Sequence, residues 1–131
     1  MNEKIDFEKF DLHDSVVTSI AFNFNENSCS FRVHLHEILK KKHKLDYDIL
    51  TICFQDIIAM DFDKWLTYSF DSFEIMEITN KYTEKCMEVS MGLLGWKDNS
   101  GENLYWNVSL KCKNVELKKE SRMENGNEIK K

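Results

Sequence analysis

Apolar and polar side chains alternate along this chain with a period of two, in segment after segment. That spacing predicts pleated β-strands, because successive side chains of a strand point to opposite faces. From Val16 to Phe24 the residues Val16, Ile20, Phe22 and Phe24 share a face with Thr18, opposed by Val17, Ser19, Ala21 and Asn23. From Cys29 to His36 the core face is Cys29, Phe31, Val33 and Leu35, with Ser30, Arg32, His34 and His36 outward. A third strand, Tyr47 to Phe54, is apolar on both faces and is prolonged past a bulge by Ile57, Ile58, Met60 and Phe62. In the fourth, Phe70 to Thr79, Phe73 and Ile75 lie on one parity and Met76 and Ile78 on the other, the mark of a second bulge. Lys85 to Leu94 turns Met87, Val89, Met91 and Leu93 inward. The clearest alternation sets Leu104, Trp106, Val108, Leu110 and Cys112 against Tyr105, Asn107, Ser109 and Lys111.

Between these strands lie turn-forming clusters: Asn25-Glu26-Asn27-Ser28, and Asp98-Asn99-Ser100-Gly101. With no proline and only four glycines, the chain relies on Asn and Asp, which tolerate left-handed backbone. The first two strands and the last two are expected to form hairpins. No long amphipathic helix is present to carry a crossover between parallel strands. The fold class expected is therefore all-β, mainly antiparallel: a sandwich or partly open barrel of about six to eight strands with at most one short helix. Met1 to Ser15 is a lead-in, extended or helical, packed by Ile5, Phe7, Phe10 and Leu12. Glu37 to Leu45, with its run Lys40-Lys41-Lys42-His43-Lys44, reads as a solvated loop. Asp61 to Tyr68 breaks the alternation as a loop or single helical turn. A single β domain spans residues 1–117, and residues 118–131 form a charged, flexible tail.

Composition narrows the function classes. The chain of 131 residues is 42% hydrophobic and 31% charged, which suits one globular domain. Its longest apolar runs, Ile49 to Phe54 and Met91 to Trp96, fall far short of the roughly 20 residues of a membrane-spanning helix. The charged N-terminus lacks the apolar core of an export signal, so a cytoplasmic location is expected. There Cys29, Cys53, Cys86 and Cys112 remain free thiols, and their spacing fits no zinc motif. The net charge is −5; the five basic and three acidic residues of the tail leave −7 for the preceding 117 residues. Such a body repels nucleic acid.

Few constellations offer chemistry. His34 and His36, two apart on a strand, place two imidazoles on one side, an alternative metal pair that lacks an identifiable third ligand. His13-Asp14-Ser15 holds the residue types of a hydrolase triad, but adjacent side chains diverge and cannot align as one. A turn role suits them better, because Asp and Ser bond backbone amides at a strand entry. No catalytic residue and no cofactor is assigned. Between Asp56 and Glu77, by contrast, carboxylates interleave with aromatics and Lys64 is the only basic residue. Asp61, Asp63, Trp65, Tyr68, Asp71 and Glu74 form the candidate binding face: acids steer a basic partner while aromatic rings supply desolvated anchors.

The segment Leu12-His13-Asp14-Ser15-Val16-Val17-Thr18-Ser19-Ile20 resembles the opening of small bacterial β proteins grouped with the immunity proteins of polymorphic toxin systems. The resemblance implies a cytoplasmic protein that binds and blocks a toxin without catalysis of its own. It carries no interface residue. The leading expectation is thus a non-catalytic module with a protein partner, such as a basic toxin domain, and no nucleic-acid or membrane partner. A small-ligand or metal-binding barrel using His34 and His36 is the alternative, and homodimerisation through an edge strand is a further possibility.

Overall fold

A computed structural model of the chain describes residues 5–10, 12–63, 73–96 and 103–121. Its elements run α1 (Phe7–Phe10), β1 (Val16–Asn23), β2 (Ser28–His34), α2 (Glu37–His43), β3 (Ile49–Phe62), β4 (Phe73–Tyr82), β5 (Met87–Trp96) and β6 (Asn103–Glu120). Every strand pair is antiparallel, and the sheet closes on itself in the order β1-β2-β3-β6-β5-β4. The all-β expectation is met by a closed barrel. Hairpins join β1 to β2 and β5 to β6, as the turn clusters require. No helix among the described residues is long and apolar enough to cross a membrane.

The inward residues read from alternation form the core: Cys29, Phe31 and Val33 of β2, Met87, Val89, Met91 and Leu93 of β5, and Trp106, Val108, Leu110 and Cys112 of β6 are all buried. Three bulges bend the strands enough to close the sheet. They fall between Val17 and Ser19 in β1, between Ile57 and Ala59 in β3, and between Ile75 and Glu77 in β4. The latter two lie where the alternation broke. The first changes the expected face of β1. Beyond Thr18 the parity flips, so Val17 is buried opposite Val33 while Val16 is only half-buried. Phe22 and Phe24 run out past the rim, 45% and 86% exposed.

Two further expectations are corrected. The lysine-rich segment is a helix, α2, rather than a loop. Glu37 opens it and Lys40, Lys41, Lys42 and His43 close it, which matches the helix dipole at both ends, and Leu39 alone anchors it to the core. Lys44 ends it in a left-handed conformation, its N–H donating to backbone carbonyls of the last turn. Strand β6, for its part, continues through Lys118, Lys119 and Glu120, which pair with Thr51, Leu50 and Ile49, so the barrel outlasts the expected boundary at Leu117. Residues 122–131 of the tail lie outside the described residues.

Closure depends on a narrow seam. β1 meets β4 only at Val16↔Glu74 and Val17↔Phe73. The turn before β1 lengthens that seam: the Asp14 N–H donates to the Ile75 carbonyl, and the Ile75 N–H donates to the Ser15 carbonyl, each at 2.8 Å. Asp14 adopts φ 72° to make the turn, and the Ser15 N–H closes it onto the Leu12 carbonyl. Ser15 is the one buried polar side chain among the described residues, and its Oγ accepts from the His36 N–H at 3.1 Å. At the other end of β4, α1 covers the strand. The Asn80 side chain accepts from the Phe7 N–H and donates to the Ile5 carbonyl, which seats Phe7 fully buried against Phe54.

Replacing Ser15 by Ala removes the acceptor of the half-buried His36 N–H. A loss of about 1 kcal/mol follows from one such hydrogen bond. Urea denaturation of Ser15→Ala against the parent chain measures it, and an unchanged midpoint would contradict this account of the seam.

Candidate functional site

The register of β3, β6, β5 and β4 decides which residues share the outside of the barrel. Glu74 stands opposite Leu94, which stands opposite Tyr105. One step along, Glu77 pairs with Gly92, Gly92 with Asn107, and the Asp63 N–H donates to the Asn107 carbonyl. Next come Thr79, Ser90, Ser109 and Asp61, again in cross-strand register. None of these outward positions carries a basic residue. The row beyond it, Lys81, Glu88, Lys111 and Ala59, is where cations return. The sheet thus gathers four carboxylates, Asp61, Asp63, Glu74 and Glu77, on one outer surface around a tyrosine.

Tyr105 is fixed at the centre of that surface by a missing side chain. A Cβ built on Gly92 would stand 1.9 Å from the Tyr105 hydroxyl, so the ring lies across the glycine and covers it, leaving Tyr105 39% exposed. This is aromatic cover of a strand glycine, a device that also pins register. The hydroxyl hydrogen-bonds the Glu77 carboxylate. Burial, the Glu77 charge and hydrogen bond, and the Asp63 charge all raise the phenol's pKa, so Tyr105 stays a neutral donor. Asp63 is held in turn: its two carboxylate oxygens accept from the Asn107 N–H and the Asn107 Nδ2, both at 3.0 Å. Behind the face, Phe62 stacks on Trp106 with centroids 4.8 Å apart and planes at 10°, and Phe73 lies 5.2 Å from the same indole.

Of the candidate binding residues, Asp61 and Asp63 sit at the end of β3 and Glu74 at the start of β4. Two strands intervene, so they are about 14 Å apart across the sheet. Trp65, Tyr68 and Asp71 fall outside the described residues. Tyr105, Asn107 and Gly92 complete the surface and were not singled out from the sequence. The outward parity of Tyr105 and Asn107 was legible, but their neighbours depend on strand order.

The histidine pair does not form a strand-face site. β2 ends at His34, and His36 caps α2, its Nδ1 accepting from the Ile38 N–H at 3.1 Å, so that nitrogen is occupied. Among the described residues there is no group of three His, Cys, Asp or Glu placed to hold a metal ion. His13 Nδ1 lies 3.2 Å from the Asp14 carboxylate at the exposed seam turn, while Ser15 Oγ is buried and bonded to His36, so the three do not line up for nucleophilic chemistry. The two buried thiols, Cys29 and Cys112, are poor nucleophiles as well. Burial, with a lesser contribution from Cys53, pushes Cys29 up to about 12; burial, with Cys86, pushes Cys112 up to about 11.

Fold and site together define a closed six-stranded antiparallel barrel with an acidic outer face centred on a tyrosine. No family model, curated protein or solved structure matches the chain.

Two outcomes are expected. Gly92→Ala displaces the half-exposed Tyr105 ring and breaks its hydrogen bond to Glu77, a loss of about 0.5–1.5 kcal/mol as read from denaturant midpoints. Above pH 9, where an ordinary thiol ionises, the unfolded chain releases protons that Cys29 and Cys112 retain when folded. Fewer protons on the unfolded state means stability falls as pH rises there. Denaturation between pH 8 and 11 of the parent and of Cys29→Ala/Cys112→Ala checks this: the parent is expected to lose more stability.

Proposed function

We propose that the protein is a non-catalytic protein-binding module, an immunity protein that neutralises a toxin partner through the face of Asp61, Asp63, Glu74 and Glu77. One observation carries this reading: four carboxylates from non-adjacent strands share one surface, with no basic side chain in their rows among the described residues, around a half-exposed tyrosine set on Gly92. Aromatic rings held rigid lose little entropy on binding and serve as anchors, and a rim of one charge sign steers a partner of the other. The partner this face fits is a basic protein domain. Trp65, Tyr68 and Asp71 follow Asp63 in the sequence and lie outside the described residues. The resemblance at Leu12 to Ile20 supports the immunity role, and a net charge of −5 supports attraction to a basic toxin. A cytoplasmic site of action accords with both.

The test takes the product encoded beside this chain's gene. Co-production with this chain is expected to relieve growth arrest caused by that product, and purified components are expected to bind with an affinity that falls as salt rises. Asp61→Lys/Asp63→Lys and Tyr105→Ala are each expected to weaken binding about tenfold or more, by calorimetry, while the fold is retained by circular dichroism. No relief of arrest, or binding indifferent to these changes, would overturn the assignment.

A further inference from the structure

The narrow seam leaves one strand edge uncovered. β1 parts from β4 after Val16↔Glu74 and Val17↔Phe73, at the bulge before Ser19, while its pairing with β2 runs on to Asn23↔Ser28. Along residues 19–23 no strand among the described residues lies on the other side of β1, and Ser19, Ala21, Phe22 and Asn23 are exposed. β4 is better covered, since the turn ahead of β1 bonds Ile75 and α1 seats on Asn80. Every second residue of an edge strand turns its N–H and C=O away from the sheet, so residues 19–23 are a template for another strand.

Native sheets guard such edges with charge or proline. This one has neither: residues 15–25 hold no charged side chain, the chain has no proline, and the β2 residues behind the edge, 28–31, are uncharged as well. The first charge along β2, Arg32, is paired with Glu120. A chain of net charge −5 thus carries a charge-free patch two strands wide, where two copies can approach against the least repulsion. The pattern also matches itself. An antiparallel pairing centred on Ala21 sets Ser19 against Asn23, polar beside polar on the outer face, and Ile20 against Phe22, apolar beside apolar on the inner one. Phe22 is backed by its own rings: it stacks on Phe24 with centroids 6.1 Å apart and meets Phe62 edge-on at 6.3 Å.

We propose that two copies of this chain join through this edge, β1 against β1 about a two-fold axis at Ala21, so that Ile20 of each copy packs on Phe22 of the other. The proposal stands apart from the toxin-binding reading, since no carboxylate of the acidic face takes part.

Sedimentation from micromolar to millimolar concentration is expected to show a monomer–dimer equilibrium that tightens as salt rises, because screening relieves the repulsion between like-charged bodies. The toxin complex weakens under the same change, which tells the two associations apart. Ala21→Lys sets two ammonium groups face to face and is expected to weaken the dimer about tenfold or more, with the circular dichroism spectrum kept because the position is exposed. Ala21→Cys is expected to cross-link two copies under mild oxidation well above the background of the parent chain, since directly opposed Cα atoms lie about 5 Å apart, within disulfide reach. Ser19→Cys is expected to stay at that background, its two copies being about 14 Å apart in this register. A monomer at millimolar concentration, a dimer that Ala21→Lys leaves intact or that salt loosens, or cross-linking at Ser19→Cys equal to that at Ala21→Cys would each overturn the proposal.

Discussion

A barrel of six strands exists only if its first and last-placed strands meet, and in this protein that meeting rests on very few hydrogen bonds. β1 and β4 share two residue pairs before they part. What makes the closure hold is the turn ahead of β1, which adds two further backbone bonds to Ile75 and ties the seam to the β2–α2 junction through Ser15 Oγ. His36 then continues the chain of contacts by capping α2 with its own ring nitrogen. The segment Leu12 to Ser15 is therefore a closing device. Its residues have the chemical types of a catalytic group and spend their polar atoms on architecture instead.

Closure also explains where the acidic surface falls. Bringing β4 round to β1 keeps β5 and β6 between it and β3, so acids distant in sequence, Asp61 and Asp63 on one side and Glu74 and Glu77 on the other, flank the same two strands. Gly92 and Tyr105 occupy the middle of that arrangement. Clustering four carboxylates costs electrostatic energy, and the sheet offsets it with directed donors: Asn107 to Asp63, and the Tyr105 hydroxyl to Glu77. The face is thus rigid as well as acidic.

The legible part of the fold is the part governed by local periodicity. β5 and β6 could be read inward residue by inward residue, since one face is buried along their paired length and a single slip would expose it. The parity breaks at Ile57 and at Met76 betrayed their bulges for the same reason. β1 was misread because its bulge at Thr18 follows two equally apolar residues, Val16 and Val17, which leave no mark of which one turns inward. α2 was missed because seven residues with one buried leucine carry too little apolar spacing to register as a helix. The last stretch of β6 was hidden by its charges: Lys118 and Glu120 take the outward parity, and Lys119, on the parity of Leu117, sets its ammonium over the Tyr47 ring, 5.2 Å from the centroid. For the site, Asp61, Asp63 and Glu74 were nominated by composition alone. Tyr105 and Gly92 were not, because their contact is diagonal across two strands, a pairing that no window along the chain can contain.

The eighteen residues of β6 pair with β3 along one edge and β5 along the other, which makes this strand the spine of the sheet. It is also the last of the six to emerge during synthesis. Until it arrives, β3 and β5 present long unsatisfied edges, and every contact that joins the two halves of the barrel spans a large loop of chain. Such topologies fold slowly and are prone to association while they wait. The nascent chain therefore passes through an interval in which β1, β2 and β3 can meet β4 and β5 only through the narrow β1–β4 seam, and the arrival of β6 closes the other side.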